Sequence, residues 1–117
     1  MIPKVEEQGL AIPNLPSLPH INIVGSMITG THGSGIQHPI QADMVTEFDL
    51  VLADGSLRTF SRETTPDFER YLLNFGSIGV ITSMKMQLVP KFNVHKAIYT
   101  DLTWESLESN LEEITQK

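Results

Sequence analysis

The 117-residue sequence contains no cysteine. Disulfide bridges, thiol nucleophiles and thiolate metal ligands are therefore excluded. No apolar run approaches the roughly 18 residues that a membrane-spanning helix needs. The first residues, Met1-Ile-Pro-Lys-Val-Glu-Glu, are too polar for a signal peptide. These absences predict a soluble cytoplasmic protein with no membrane association.

Basic residues are few and scattered. Eight Lys and Arg stand against 14 Asp and Glu, which gives a formal net charge of −6. Without a run of basic residues, the chain offers no surface for a phosphate backbone, and nucleic acid is not an expected partner. Apolar residues make up 40% and charged residues 19%. This composition is typical of a folded domain with a single hydrophobic core.

A cluster of three glycines, Gly30-Thr-His-Gly-Ser-Gly35, follows the apolar run 21–29. Glycine lacks a Cβ, so it permits positive φ and close approach of another molecule, and its peptide N–H groups can face a polar or anionic ligand. The spacing is neither the G-x-G-x-x-G of a dinucleotide-binding turn nor a P-loop. The pattern predicts a strand that enters a ligand-binding loop, and a tight turn without a ligand is the alternative.

The sequence predicts strands over residues 21–29, 44–52, 56–60, 80–89 and 92–100. The first is an apolar run with small residues, and polarity alternates clearly in 44–52 and 80–89. Asp54-Gly55 predicts a hairpin turn between the second and third of these. In the fourth strand we expect one face to carry Val80, Thr82, Met84, Met86 and Leu88.

Two helices are predicted after threonine N-caps. Thr65 precedes the apolar stripe of Phe68, Leu72 and Phe75, and Thr103 precedes the stripe of Trp104, Leu107, Leu111 and Ile114. Strands in this order, with few helices, predict an α+β fold: a mainly antiparallel sheet with two helices packed on it.

Prolines recur at steps of three in the segment 11–20, at Pro13, Pro16 and Pro19. This spacing is typical of an extended, polyproline-like conformation. It fits a connector laid over the domain surface, since Ile12, Leu15 and Leu18 are apolar. A P-x-x-P ligand of an SH3-type domain is the alternative.

Three ordered motifs resemble one family. They are the segment from Leu18 through the glycine cluster, Leu50-Val-Leu-Ala-Asp-Gly-Ser, and Asn74-Phe-Gly-Ser-Ile-Gly-Val-Ile-Thr, followed by Val89-Pro-Lys-Phe. Residues 9 to 104 are similar to the FAD-linked sugar-lactone and alditol oxidases of the vanillyl-alcohol-oxidase superfamily. The resemblance implies FAD as cofactor. It also implies that residues 1–90 form part of the second lobe of a PCMH-type FAD-binding domain and that residues 91–117 begin a substrate domain.

The resemblance also implies which residues contact the flavin and its phosphates: Asn22, Met27, Gly30, Gly33, Ser34, Gly35 and Ile36. It places the adenine contact on the backbone of Val80, with Ile81 beside it. An ordinary strand start is the alternative for that second segment. No catalytic residue is predicted within the chain.

The other polar residues point to no further chemistry. His20, His32 and His38 lack the spacing of a metal site. Ser34 is not a hydrolase nucleophile, because His32 stands where G-x-S-x-G requires glycine.

Two functions remain open at the level of sequence. The first is a fragment or subunit of an oxidoreductase that oxidises an alditol or aldonolactone, with oxygen as the expected acceptor. Its substrate would be handled only with the missing domains, and a companion polypeptide is then expected. The second is a non-catalytic folded remnant that acts as an interaction module and self-associates through exposed sheet edges.

Overall fold

The computed structural model describes residues 2–18 and 20–116. Three helices are present among them: α1 (Ile2–Glu7), α2 (Ile23–Ile28) and α3 (Trp104–Gln116). The strands are β1 (Leu10–Ala11), β2 (Val45–Val51), β3 (Leu57–Ser61), β4 (Val80–Met86) and β5 (Val89–Pro90). Two 3-10 helices cover Gln41–Met44 and Phe68–Tyr71. Pro19, the third regularly spaced proline, lies outside the described residues.

A three-stranded antiparallel sheet in the order β3-β2-β4 forms the centre of the fold. A smaller antiparallel pair joins β1 to β5 and brings Leu10 opposite Pro90. The turn at Asp54-Gly55 joins β2 to β3, as the sequence predicts, with Gly55 at φ 80°. Together with the helices, these sheets confirm the α+β class.

The hydrophobic core lies on one face of β2. Phe48 stacks on Phe60 of β3 with ring centroids 5.3 Å apart and contacts Phe68 at 5.6 Å. Val45 and Leu50 on the same strand are fully buried. Because Phe48 contacts both a neighbouring strand and the second 3-10 helix, it connects the sheet to the layer above it.

A β-bulge in β4 changes the face predicted for two residues. Ser83 pairs with Asp49 and Ile81 with Leu50, so Thr82 is the extra residue on its strand. Beyond a bulge the inward and outward positions exchange. Met84 and Ile81 therefore face the core, whereas Val80 is 67% exposed and Thr82 is exposed. The prediction that Val80 and Thr82 share a face with Met84 is wrong.

The predicted strand over residues 21–29 is instead the helix α2. Asn22 caps its first turn, and its Oδ1 accepts hydrogen bonds from the amides of Val24 at 2.9 Å and Gly25 at 3.1 Å. Asparagine is among the preferred N-cap residues. This local capping outweighs the strand preference of the β-branched residues in the run.

The helix predicted after Thr65 is reduced to the 3-10 helix Phe68–Tyr71. Asp67 and Phe75 both have positive φ, 54° and 53°, which ends regular helix on either side. Phe68 and Leu72 are buried as the stripe predicts, but Phe75 is 75% exposed. The hydroxyl of Thr65 accepts from the amide of Ser61 instead of capping a helix.

The predicted strand over residues 92–100 is absent, because this segment has no regular structure and is exposed throughout. The helix after Thr103 is confirmed as α3, and the Thr103 hydroxyl accepts from the amide of Ser106 at 3.2 Å. Of its apolar stripe, only Leu107 is half-buried. No residue of α3 is buried in this structure. The radius of gyration of 17.9 Å exceeds the roughly 13 Å of a compact domain of this length.

The outer face of the sheet carries a polar bridge. Asp49 of β2 accepts hydrogen bonds from the hydroxyl of Thr59 on β3 at 2.7 Å and from that of Ser83 on β4 at 2.6 Å. Both hydrogen bonds favour the charged carboxylate, and the one from Ser83, followed by that from Thr59, lowers the pKa of Asp49 below its ordinary value. One carboxylate thus links all three strands.

Phe48→Ala tests the position of the core. We expect it to reduce the free energy of unfolding by about 3–5 kcal/mol, because it removes a buried ring that contacts two others. Urea unfolding followed by circular dichroism measures the change. The control Phe75→Ala, on an exposed ring, is expected to shift stability by about 0.5 kcal/mol or less. Equal effects of the two variants would contradict the described core.

Asp49→Asn tests the polar bridge through pH. A lowered carboxyl pKa contributes stability above the ordinary pKa, and that contribution is lost as pH falls through the lowered value. The wild type is therefore expected to exceed Asp49→Asn in stability at about pH 6, and the difference is expected to shrink progressively as the pH is lowered past the ordinary carboxyl pKa. Glu105→Gln on α3 is the control. A stability difference for Asp49→Asn that stays constant over this range would contradict the bridge.

Candidate functional site

The glycine cluster begins where α2 ends. The amide of Gly30 donates to the carbonyl of Met27, and that of Thr31 donates to the carbonyl of Ser26 at 3.0 Å. With Gly30 at φ 70°, these two bonds form a Schellman motif, the common helix ending in which glycine takes the left-handed conformation. Gly30 is therefore required to end the helix.

The segment from Thr31 to Gln41, named here the glycine loop, is closed at its base. The amide of Gln41 donates to the carbonyl of Thr31 at 3.0 Å. The hydroxyl of Ser26 donates to Oε1 of the buried Gln41 side chain. Since Ser26 belongs to α2, this buried bond fixes the loop to the helix.

The two glycines of the loop, Gly33 and Gly35, pack closely against other residues of the chain. Where a Cβ on Gly33 would stand, Oδ1 of Asn14 and the carbonyl oxygen of Leu15 already lie. Gly35 has φ 115°, and its missing Cβ would meet the ring of His38. Internal packing thus accounts for glycine at both positions.

The backbone donors of the loop nevertheless stay available. Within residues 2–18 and 20–116, the amides from His32 to Ile36 donate no hydrogen bond. The hydroxyl of Ser34 has no hydrogen-bond partner there either, and Ser34 and Ile36 are exposed. Nδ1 of His32 donates to the carbonyl of Gly33 at 2.8 Å, because a carbonyl oxygen only accepts. Consecutive free amides can bind an anionic or polar oxygen atom.

The second predicted segment is a turn built on Asn74. Its Oδ1 accepts from the amide of Gly76 at 2.7 Å, and its Nδ2 donates to the carbonyl of Tyr71 at 2.8 Å. Gly79, at φ 151°, lies against the carbonyl of Val51, where a side chain would not fit. The turn delivers Val80 to the surface, with Ile81 half-buried behind it.

The end of α2 connects the glycine loop to the turn built on Asn74. The amide of Phe75 donates to the carbonyl of Ile28 at 3.2 Å. A Cβ on Gly30 would lie 3.2 Å from the Leu73 side chain, and one on Gly76 would lie 3.9 Å from that of Ile28. The turn before Val80 and the start of the glycine loop are therefore neighbours.

Two predicted site residues, Asn22 and Met27, do not present their side chains beside the free amides of residues 32–36. Asn22 lies at the opposite end of α2, where its side-chain oxygen caps the helix. Met27 is 1% exposed, and its side chain belongs to the hydrophobic core. A ligand on the loop would meet neither side chain in this arrangement.

A pocket of about 600 Å³ adjoins the glycine loop. Its walls come from three parts of the chain: the proline segment, the loop and the exposed segment after β5. They include Asn14, His32, Ser34, His38, Phe92 and Val94. Sequence reasoning did not assign Asn14 or Phe92 to the site. Both come from segments distant in sequence from the glycine loop; Phe92 ends the Val89-Pro-Lys-Phe motif, and nothing in the local sequence around Asn14 marks it.

The structure contains no cluster of three or more metal-ligating side chains among the described residues. His32 and His38 share the pocket wall, but no third ligand joins them there. Among these same residues, no helix is long and apolar enough to cross a membrane.

These features define an α+β unit that offers a run of free amides beside an open pocket. No established protein-family profile matches the chain. Individual proteins, however, match most of its length. The chain is 39% identical over 107 residues to an alditol oxidase of a Streptomyces species, across 89% of its own length. It is 38% identical over 92 residues to a putative D-arabinono-1,4-lactone oxidase of Neurospora crassa, across 78% of its length.

The L-gulonolactone oxidase of Mus musculus is 31% identical over 108 residues, which cover 92% of the chain. The chain is therefore similar to the alditol and sugar-lactone oxidases over most of its own length, and the resemblance stated from its motifs is confirmed. It spans only 25%, 16% and 24% of the lengths of these three relatives.

Gly25→Ala and Gly33→Ala test the local structure of the site. In α2, a Cβ on Gly25 would meet only Asn22, at 3.9 Å, so we expect Gly25→Ala to stabilise the protein by about 0.5–1 kcal/mol. Gly33→Ala would displace Asn14 and is expected to destabilise it by about 1–3 kcal/mol. Thermal and urea unfolding measure both. The account is contradicted if Gly33→Ala is neutral.

Proposed function

We propose that this chain is the FAD-binding part of an oxidoreductase that oxidises an alcohol group of an alditol or aldonolactone. The observation that carries the proposal is the alignment of 89% of the chain with an alditol oxidase, together with the free amides in its glycine loop. In this proposal the flavin accepts the electrons of the substrate and oxygen receives them afterwards. FAD supplies this redox chemistry when bound.

The donors present fit part of such a cofactor. The amides from His32 to Ile36 and the Ser34 hydroxyl would donate to pyrophosphate or ribityl oxygens. The anionic phosphate oxygens only accept, whereas the ribityl hydroxyls both donate and accept. No Lys or Arg lines the adjoining pocket, so backbone dipoles would carry this interaction. The exposed backbone at Val80, with Ile81 behind it, would contact the adenine. Asn22 and Met27 would support the site from α2 without their side chains reaching the loop.

The proposal also assigns the two parts of the chain to different domains. Residues 1–90 would form part of the second lobe of a PCMH-type domain, and residues 91–117 would begin the substrate domain. The groups that bind the alditol or lactone would come from sequence outside these residues, in the same or a companion polypeptide. Supporting this division, residues 91–103 are exposed and without regular structure. The cytoplasmic location stays a prediction.

A direct test titrates the purified chain into FAD and follows flavin fluorescence. Ile36 is 80% exposed, so Ile36→Glu is expected to fold normally and to place a carboxylate beside the free amides. Repulsion of the pyrophosphate should weaken binding by about tenfold or more. Leu57→Glu, at a 63% exposed position on β3, is the matched control and should bind as the wild type does.

A chain that does not bind FAD would point to the alternative function. The alternative function, a non-catalytic interaction module, is favoured by the apolar side chains exposed after β5, where Ile98 is 72%, Tyr99 90% and Trp104 77% exposed. Absence of FAD binding at saturating concentration, together with concentration-dependent self-association in analytical ultracentrifugation, would overturn the first proposal in favour of this one.

A further inference from the structure

We infer that Asn14 is a positioning residue that holds the glycine loop in the conformation that presents its free amides. The inference rests on the proposed function, because it concerns the same loop and its ligand. It concerns a residue to which the sequence assigned no role.

Asn14 is buried, with 8% of its surface exposed, although it follows a proline in the segment that connects β1 to α2. Its Nδ2 donates to the carbonyl of Pro39 at 3.2 Å. Its Oδ1 occupies the place where a side chain on Gly33 would lie. One amide group therefore contacts both limbs of the glycine loop, the outgoing limb at Gly33 and the returning limb at Pro39.

The loop has few other restraints. Its base is closed by the bond from the Gln41 amide to Thr31, and within it the amide of His38 donates to Gly35 at 3.3 Å. Residues 34–39 are all exposed, so little packing restricts them. The hydrogen bond from Asn14 to Pro39 spans 25 residues of sequence and fixes the separation of the two limbs.

This arrangement gives Asn14 a role that is distinct from binding. A loop whose amides already point in fixed directions loses less entropy when a ligand binds, which raises affinity. Without the Asn14 amide, the Pro39 carbonyl loses its partner and the limbs separate more freely. We expect the cost to fall on loop order and ligand affinity more than on global stability.

The experiment uses the full chain with Asn14→Ala and Asn14→Asp. Asn14→Asp keeps the volume but removes the donor, so it remains informative if Asn14→Ala folds poorly. Amide exchange measured by NMR should show the Gln41 amide exchanging about tenfold faster in both variants, with strand amides of β2 unchanged. FAD affinity, measured where each variant is fully folded, should fall by about tenfold.

Phe60→Leu is the control for a purely structural effect. It perturbs the aromatic cluster of the sheet, so it should lower the melting temperature while leaving FAD affinity and Gln41 exchange unchanged. The inference is overturned if both Asn14 variants keep wild-type Gln41 exchange, or if Phe60→Leu loses as much FAD affinity as the Asn14 variants do for the same loss of melting temperature. Failure of the wild type to bind FAD would instead overturn the proposed function, and the exchange data would still decide whether Asn14 orders the loop.

Discussion

The end of α2 is the constraint on which the rest of the site depends. Met27 anchors the helix in the core, and the Schellman motif at Gly30 turns the chain out of it at a defined angle. Ser26 then fixes the returning limb through the buried bond to Gln41. A different ending of this short helix would move every donor of the glycine loop, because the loop has no regular structure of its own.

The same helix end explains how two segments distant in sequence become one candidate site. Phe75 donates to the carbonyl of Ile28, so the turn that precedes Val80 lies beside the start of the loop. β2 supports this arrangement from below, since its Val51 carbonyl leaves space only for glycine at position 79. The sheet thus serves as a rigid platform, and the chemistry is presented by backbone groups on the segments above it. Such a candidate site needs no Lys or Arg in the adjoining pocket, because its donors would be peptide dipoles.

Local patterns predicted the parts of the fold that local interactions determine. The β2–β3 hairpin follows from alternation and Asp54-Gly55, and α3 follows from its cap at Thr103. The strand predicted at 92–100 fails because a β-rich sequence still needs a partner strand, which this segment lacks within the described residues. For 21–29, the local signal for a helix is Asn22, whose side chain caps α2 and outweighs the strand preference of the run. The glycine loop was recognised as a ligand-binding candidate. The sequence does not show why position 33 must be glycine, because the contact of Asn14 with Gly33 is tertiary and leaves no trace in local sequence.

The central claim is that the amides from His32 to Ile36 are the donors of a flavin-dinucleotide site. Its most direct test is an NMR titration of the isotope-labelled chain with FAD, in which each backbone amide reports separately. The account predicts chemical-shift changes concentrated at residues 32–36 and at Val80, with the outer face of β3 unaffected. Changes confined to other surfaces, or no saturable change in the loop, would contradict it.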